Sequence, residues 1–386
     1  MSKIETVLGP ISPDKLGITL LHEHIFLYNQ PILYGDPEEL AKDPFWNEPI
    51  SLENLGDIRC GKLNRDNLVL DDEVTVTEEI KDYIKLGGKS IVENTNLGLG
   101  PDPVKLKSVA EKIDGNIIAT TGFYKQSQHP PWVKNKTIDE LSEFMLKEIY
   151  EGIGETNIKA GSIGECACTE PVPYHPEEKK VLEAACRTQK TTDVGFTFHP
   201  SIYDSKTKSL VKTGQVYIDL IKKEDANLEK FYLSHVDLTI DDLDYHRRLM
   251  DNGITIAYDS FGCEGINDYA FLGGFRMPTD LEKINAIAIS TPPKLNFKII
   301  KFAIKNGINR FLLGVPAYYK FGHENSYQFF SNLFNKVPEI NVLLYNFEKL
   351  FGYKFEAPIV ERLVKEFPQV KGLKDSSYNL YTTLKM

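Results

Sequence analysis

Apolar positions along the chain follow two alternating rhythms, one with a period of two and one with a period near 3.6. Short runs rich in β-branched and aromatic residues recur as LGITLLHEH, KSIVENTN, NIIATTGFY, IKAGSIGECAC, VGFTFHP, EKFYLSHVD, GITIAYDSFG and RFLLGVPAYY, and these read as strands. Between them lie stretches such as DELSEFMLKEIYEGI and PEEKKVLEAACRTQKTT, whose apolar residues return every three to four positions and predict helices. Eight strands separated mostly by helices predict an α/β chain folded as a (β/α)8 TIM barrel. The rival, a doubly wound open sheet, calls for a glycine-rich phosphate loop after the first strand, and none stands there. Residues 28–71 are rich in Pro, Asp and Asn and are long for a connection, which predicts a folded loop at the barrel mouth. From Asn341 onward NVLLYN and VKGLKD add two strands, with EAPIVERLVKEF as a helix between them. They exceed the eight already counted, so a carboxyl-terminal extension or an atypical completion of the barrel is expected.

Composition narrows the function classes. The 386 residues suffice for a large core, and 26% charged with 11% aromatic residues is a globular profile. A net charge of −10 argues against a nucleic-acid partner. No apolar run reaches the length of a membrane span and no leader peptide is recognisable, so a cytoplasmic chain without membrane association is expected, with a homo-oligomer as an open option. Cys60, Cys166, Cys168, Cys186 and Cys263 are too unevenly placed to suggest a disulfide framework. Strand alternation accounts for Cys166 and Cys168 as well as metal binding does.

The chemistry gathers on histidine. Of 8 in the chain, His22, His24, His199 and His235 stand at the carboxyl ends of expected strands, which form the catalytic face of a barrel. His22 and His24 are two apart, so a strand turns both imidazoles to one side and Glu23 to the other. A lone histidine there reads as a packed side chain; four at strand ends point to a shared metal site. Glu165, closing KAGSIGE, is the anion that would sit between two divalent ions and offset their repulsion. Imidazole with carboxylate suits zinc, manganese or cobalt rather than calcium, and two such ions, most readily zinc, are expected.

HEH after the first strand, KAG-x-I-x-E, FTFH and SHVDLTIDDLDY together resemble the phosphotriesterase-like branch of the amidohydrolase superfamily, from about Gly9 to Ala286. The resemblance implies a binuclear metal hydrolase in which His22, His24, His199 and His235 are ligands. Many members bridge the metals with a carboxylated lysine; here Glu165 matches the subset that uses glutamate, and Lys159 lies too early. The resemblance also implies an aspartate after the eighth strand as proton acceptor. RFLLGVPAYYK places Pro316 near that position, which leaves Asp259, at the end of ITIAYD, as the alternative carboxylate. By resemblance the substrate is a small ester, a lactone before a phosphotriester, with phosphorylated sugar lactones among those that relatives take; Arg276 is the candidate for its anionic end and Tyr124 for the pocket wall. These assignments treat residues 1–386 as one hydrolase-like domain.

Residues from about 291 to 386 carry a second resemblance. VPAYYKFGHENSYQFFSNLFNKVPEINVLLYN and FPQVKGLKDSSYNL are similar to the dihydrodipicolinate synthase and N-acetylneuraminate lyase family. That resemblance implies Lys374 as an imine-forming amine, Tyr345 as its proton-transfer partner and Tyr319 as a hydroxyl relay. The family's earlier strands are not recognisable. Two alternatives to the hydrolase therefore stand: a Schiff-base lyase centred on Lys374, and a metal-binding protein with little turnover.

Overall fold

The computed structural model describes residues 3–28, 37–59, 62–169, 175–204, 209–262, 265–267, 275–278, 280, 282–283, 286, 300–301, 304–305, 307–314, 323–346 and 354–375. The chain forms two compact units, Met1–Asp280 and Leu281–Met386.

The first unit is built on seven strands: β1 (Ile18–Glu23), β2 (Gly88–Glu93), β3 (Asn116–Thr121), β4 (Ser162–Ala167), β5 (Gly195–His199), β6 (Phe231–Leu233) and β7 (Thr255–Ile256). Each pairs in parallel with the next, in the order β7-β6-β5-β4-β3-β2-β1. Helices fill the crossovers: α1 (Glu73–Lys85), α2 (Pro103–Ala110), α3 (Ile138–Tyr150), α4 (Pro176–Thr192), α5 (Gly214–Lys223) and α6 (Leu243–Asp251). Local signals start and stop them where the patterning expects. Thr137 and Glu140 close a capping box on α3, and α4 ends at Asp193 in the left-handed region. All six residues of β4 are buried, as a parallel strand covered on both faces requires.

The sheet is curled. Its outer strands, β1 and β7, are not paired with each other, yet His22 Nδ1 on β1 lies 2.7 Å from Asp259 Oδ2, just beyond β7. Tyr232 on β6 likewise donates its hydroxyl to the Leu21 carbonyl of β1, and Asn94 reaches both groups. This is the framework of a (β/α)8 barrel, with seven of its strands among the described residues. One core unites both layers, with Ile117, Phe123, Leu141, Met145, Phe198 and Leu249 fully buried. The connection before α1 is folded, as expected, and buries Phe45 and Trp46 on a short 3-10 turn.

The run expected as the eighth barrel strand belongs elsewhere. In the second unit β8 (Arg310–Leu313), β9 (Asn341–Asn346) and β10 (Val370–Asp375) form a separate three-stranded parallel sheet, with α7 (His323–Lys336) and α8 (Ala357–Glu366) as crossovers. Phe311 and Leu313 face the core of that sheet, built from Phe330, Phe334, Leu344 and Leu363. An alternating apolar run specifies a strand but not its sheet, and here the partner is the next strand in sequence. NVLLYN, VKGLKD and the helix between them form as the periodicity predicts. Pro316 and Tyr319 lie outside the described residues. Among the described residues no helix is long and apolar enough to cross a membrane.

Candidate metal centre

The four histidines converge on one carboxylate. Glu165 points inward from β4; its Oε1 lies 2.6 Å from His199 Nδ1, 3.3 Å from His22 Nε2 and 3.4 Å from His235 Nε2. Its Oε2 lies 3.2 Å from His24 Nε2. The HEH spacing therefore does what period-two geometry requires, bringing both imidazoles to the same anion. Gly164 is needed beside it, since a Cβ there would stand 2.2 Å from Asn94 Oδ1.

Asp259 occupies the other side of two of these rings. It lies 2.7 Å from His22 Nδ1 and 3.0 Å from His235 Nδ1, and it also accepts the backbone N–H of His235 at 3.1 Å. His235 has φ 57°, a left-handed conformation unusual outside glycine, and this N–H···carboxylate bond helps to hold it there. His22 and His235 are thus sandwiched, with Asp259 at Nδ1 and Glu165 toward Nε2. That is how a carboxylate behind a ligating imidazole selects its tautomer.

The electrostatics follow. Burial opposes a charge on His22, but Glu165 and Asp259 outweigh it and push the imidazolium up to about 10. Burial likewise opposes charging His235, and Asp259 with Glu165 raises it to about 9. His199 is driven down to about 3 by burial, with Lys125 and His235 adding to the effect. Burial works against ionising Glu165, yet His22 and His199 hold its carboxyl well below the usual range. Against its burial, Asp259 is likewise held well below the usual carboxylate range by His235 and His22, so the two carboxylates favour the ionised form and the imidazoles of His22 and His235 favour the protonated one.

A divalent cation fits this donor set. One atom each from His22, Glu165 and His235 lie within 4.8 Å of one another. His22 Nε2 and Glu165 Oε2 are buried and make no well-directed hydrogen bond, facing only Glu165 Oε1 at 3.3 Å and His24 Nε2 at 3.2 Å, and a metal–ligand bond would satisfy both. A divalent ion would also replace the two protons on His22 and His235 charge for charge, as metal binding to such ligands does. Among the described residues Cys166, Cys168 and Cys186 are buried free thiols outside the group formed by His22, Glu165 and His235, and burial pushes Cys166 up to about 12. Lys159 precedes β4 and lines a cavity of about 800 Å³ with Thr19, Ser162 and Thr255, at the amino-terminal ends of the strands and away from the histidines.

Other expected residues fall variously. Tyr124 stands beside the cluster, its ring edge-on to His199 with centroids 5.5 Å apart. Arg276 pairs through its backbone with Ile266 in a hairpin of Gly265–Asn267 with Phe275–Met277, and its side chain lies outside the described set. Lys374 and Tyr345 are cross-strand neighbours on β10 and β9, with the Lys374 amine 4.8 Å from the tyrosine ring centroid. Lys374 is exposed.

Several supporting residues were not singled out from the sequence. Thr95 lies 3.0 Å from His24 Nδ1 and donates to the Phe26 carbonyl at 2.8 Å. Glu93 accepts the Ile25 N–H at 2.7 Å, and burial raises its carboxyl to about 7. Both belong to KSIVENTN, where polar residues closing an apolar strand were the available signal. His129 lies 2.6 Å from Glu177 and 3.0 Å from the Tyr124 carbonyl, tying the loop after β3 to α4.

Comparison with known proteins adds to this geometry. Residues 2–289 match the model of the phosphotriesterase family, and residues 296–386 match that of the dihydrodipicolinate synthetase family. An N-acetyltaurine hydrolase from Xenopus tropicalis is 33% identical over 289 residues, 74% of this chain and 79% of that protein. A resiniferatoxin-binding protein from Rhodobacter sphaeroides superposes with a TM-score of 0.66 at 29% identity, covering 74% of this chain and 76% of that one. A lactonase from Listeria monocytogenes gives a TM-score of 0.52 at 21% identity over 80% of each chain, a likeness of fold.

Proposed function

Because the chain belongs to the phosphotriesterase family through residues 2–289, we propose that it is a metal-dependent hydrolase of a small carbonyl substrate, an ester and by preference a lactone. The observation that carries this reading is the convergence of four imidazoles on the buried Glu165 carboxylate. The proposed centre is binuclear, with His22, His24, His199 and His235 as ligands, Glu165 as the bridge, and zinc as the first choice ahead of manganese or cobalt. Bound metals would supply a hydroxide at neutral pH and polarise the carbonyl.

The chain's own groups have separate tasks. Glu165 offers one oxygen to each side of the cluster. Asp259 holds His22 and His235 so that their Nε2 atoms face inward, and in this proposal it also takes the proton lost by the attacking water. That proton is delivered to the leaving oxygen as the acyl C–O bond breaks, so water and ester become acid and alcohol. Asp259 thus assumes the part expected of an eighth-strand aspartate. Tyr124 walls the pocket against His199, and Arg276 remains a proposed contact for an anionic substituent.

A second substrate reading has a specific observation behind it. N-acetyltaurine hydrolases reach 33% identity, whereas the lactonase from Listeria monocytogenes reaches 21%. An N-acyl amide of a small sulfonate presents the same carbonyl to the same donors but demands protonation of a leaving amine. Assaying simple lactones and N-acetyltaurine with the zinc-loaded chain distinguishes the two.

The metal reading is tested by elemental analysis of the wild type and of Glu165→Gln. The expected result is about two ions per chain in the wild type and substantial loss in the variant, whose neutral amide cannot offset two cations. Two ions retained by the variant would exclude a bridging role.

A further inference from the structure

Lys125 follows Tyr124 in the loop that leaves β3, at the carboxyl-terminal face of the sheet. Its place is set by several independent ties. Gly122, at φ 135°, passes so close to β4 that a Cβ would stand 2.7 Å from the Gly164 carbonyl. The Gln126 N–H is accepted by Glu178 at 3.1 Å, and Glu178 also accepts the Thr169 N–H at 3.0 Å. The Tyr124 carbonyl is held by His129. Lys125 itself is half-buried, with its ammonium 5.1 Å from the centroid of the Tyr124 ring, whose edge meets His199.

The cation is close enough to the cluster to disfavour protonation of His199, while burial pushes the Lys125 ammonium down and the Glu165 and Glu178 carboxylates oppose that from beyond hydrogen-bond reach. Among the described residues, however, no carboxylate forms an ion pair with Lys125, and its amine has no hydrogen-bond partner. A half-buried ammonium left without an anion is unfavourable, and a loop tied down at three points does not carry it away to solvent. What it lacks is an anion in direct contact, and a ligand at the adjacent histidines can bring one.

We propose that Lys125 determines substrate specificity by pairing with a compact anionic group, a carboxylate, sulfonate or phosphate, placed a few bonds from the scissile carbonyl. This rests on the hydrolase reading and deepens it by naming the charge class of the substrate. The carbonyl lies over the histidine cluster while the anion reaches toward the β3 loop, with the Tyr124 ring between. Lys125 acts on binding and orientation, not on the proton transfers.

The test compares matched substrates on the zinc-loaded full chain: O-acetylglycolate against its neutral twin O-acetylglycolamide, and the same pair as N-acetylglycine and N-acetylglycinamide. The wild type should prefer the anionic member. In Lys125→Gln the kcat/KM of the anionic member should fall about 10–100-fold further than that of the neutral one, the range of a lost charge-assisted hydrogen bond. Lys125→Arg, which keeps the charge, should restore much of the preference. Equal losses on both members, or an unchanged preference, would overturn the proposal. Calorimetry with propionate, ethanesulfonate and neutral propionamide supplies a readout independent of turnover. The two anions should bind the wild type more tightly than Lys125→Gln at equal zinc content, while propionamide does not discriminate. If neither protein hydrolyses any of the pairs, the hydrolase reading fails, and the calorimetry alone decides whether Lys125 holds an anion; equal affinity in both proteins would refute it.

Discussion

Replacing Asp259 by asparagine separates two tasks that the wild-type carboxylate combines. Its buried oxygens take three bonds: His22 Nδ1 at 2.7 Å, His235 Nδ1 at 3.0 Å and the His235 N–H at 3.1 Å. Asparagine is nearly isosteric, but it offers one acceptor oxygen and turns a donor amide toward the other ring. One imidazole must then lose its charge-assisted bond or switch tautomer, and that bond is worth about 1.5–3 kcal/mol. Metal affinity should fall about 10–100-fold, as it does when a carboxylate behind a ligating histidine is lost. A second deficit should persist once zinc saturates the site. If Asp259 accepts the reacting proton, kcat for a lactone should drop a further ~10²–10⁴-fold. The assay is a zinc titration followed by elemental analysis, with kcat measured at saturating metal. Weaker zinc binding with a normal saturated kcat would leave Asp259 a positioning residue and refute its proton role. Zinc affinity and kcat both within about threefold of wild type would refute the whole account of the sandwiched rings.

Two further outcomes are expected. Zinc at about 100 times its dissociation constant should add about 2.7 kcal/mol to the stability of the folded state and raise the melting temperature by several degrees; an equal rise in a His22→Ala, His235→Ala double variant, followed calorimetrically, would show that the ion binds elsewhere. Incubation with pyruvate and borohydride should leave Lys374 unlabelled by mass spectrometry, because this residue is exposed on a three-stranded sheet rather than enclosed within a barrel; an adduct that disappears in Lys374→Ala would instead support the lyase alternative.

Much of the histidine–carboxylate cluster was legible in the sequence because its members sit where local rules place them. Period-two geometry puts His22 and His24 on one side, and FTFH and SHV end apolar runs that become β5 and β6. Glu165 was legible for the same reason, as an acidic residue on an otherwise apolar strand. The supporting groups were less visible. Thr95, Glu93 and His129 carry no spacing signal, and their roles arise from partners 71, 68 and 48 residues away.

The amino-acid sequence by itself determined the alternation of strands and helices, the histidines at the strand ends, and the presence of a second kind of segment after the first. Those follow from periodicity and residue type, which act over a few positions. Tertiary structure alone decided which sheet RFLL joins, because an apolar alternating run pairs equally well with any complementary edge until the surrounding core selects one. It also decided that Asp259 faces the Nδ1 atoms of two histidines while Glu165 faces their Nε2 atoms, and that the Lys125 amine lies by the Tyr124 ring, whose edge meets His199. These are distances between segments remote in sequence, set only when the sheet curls and brings its two outer strands together.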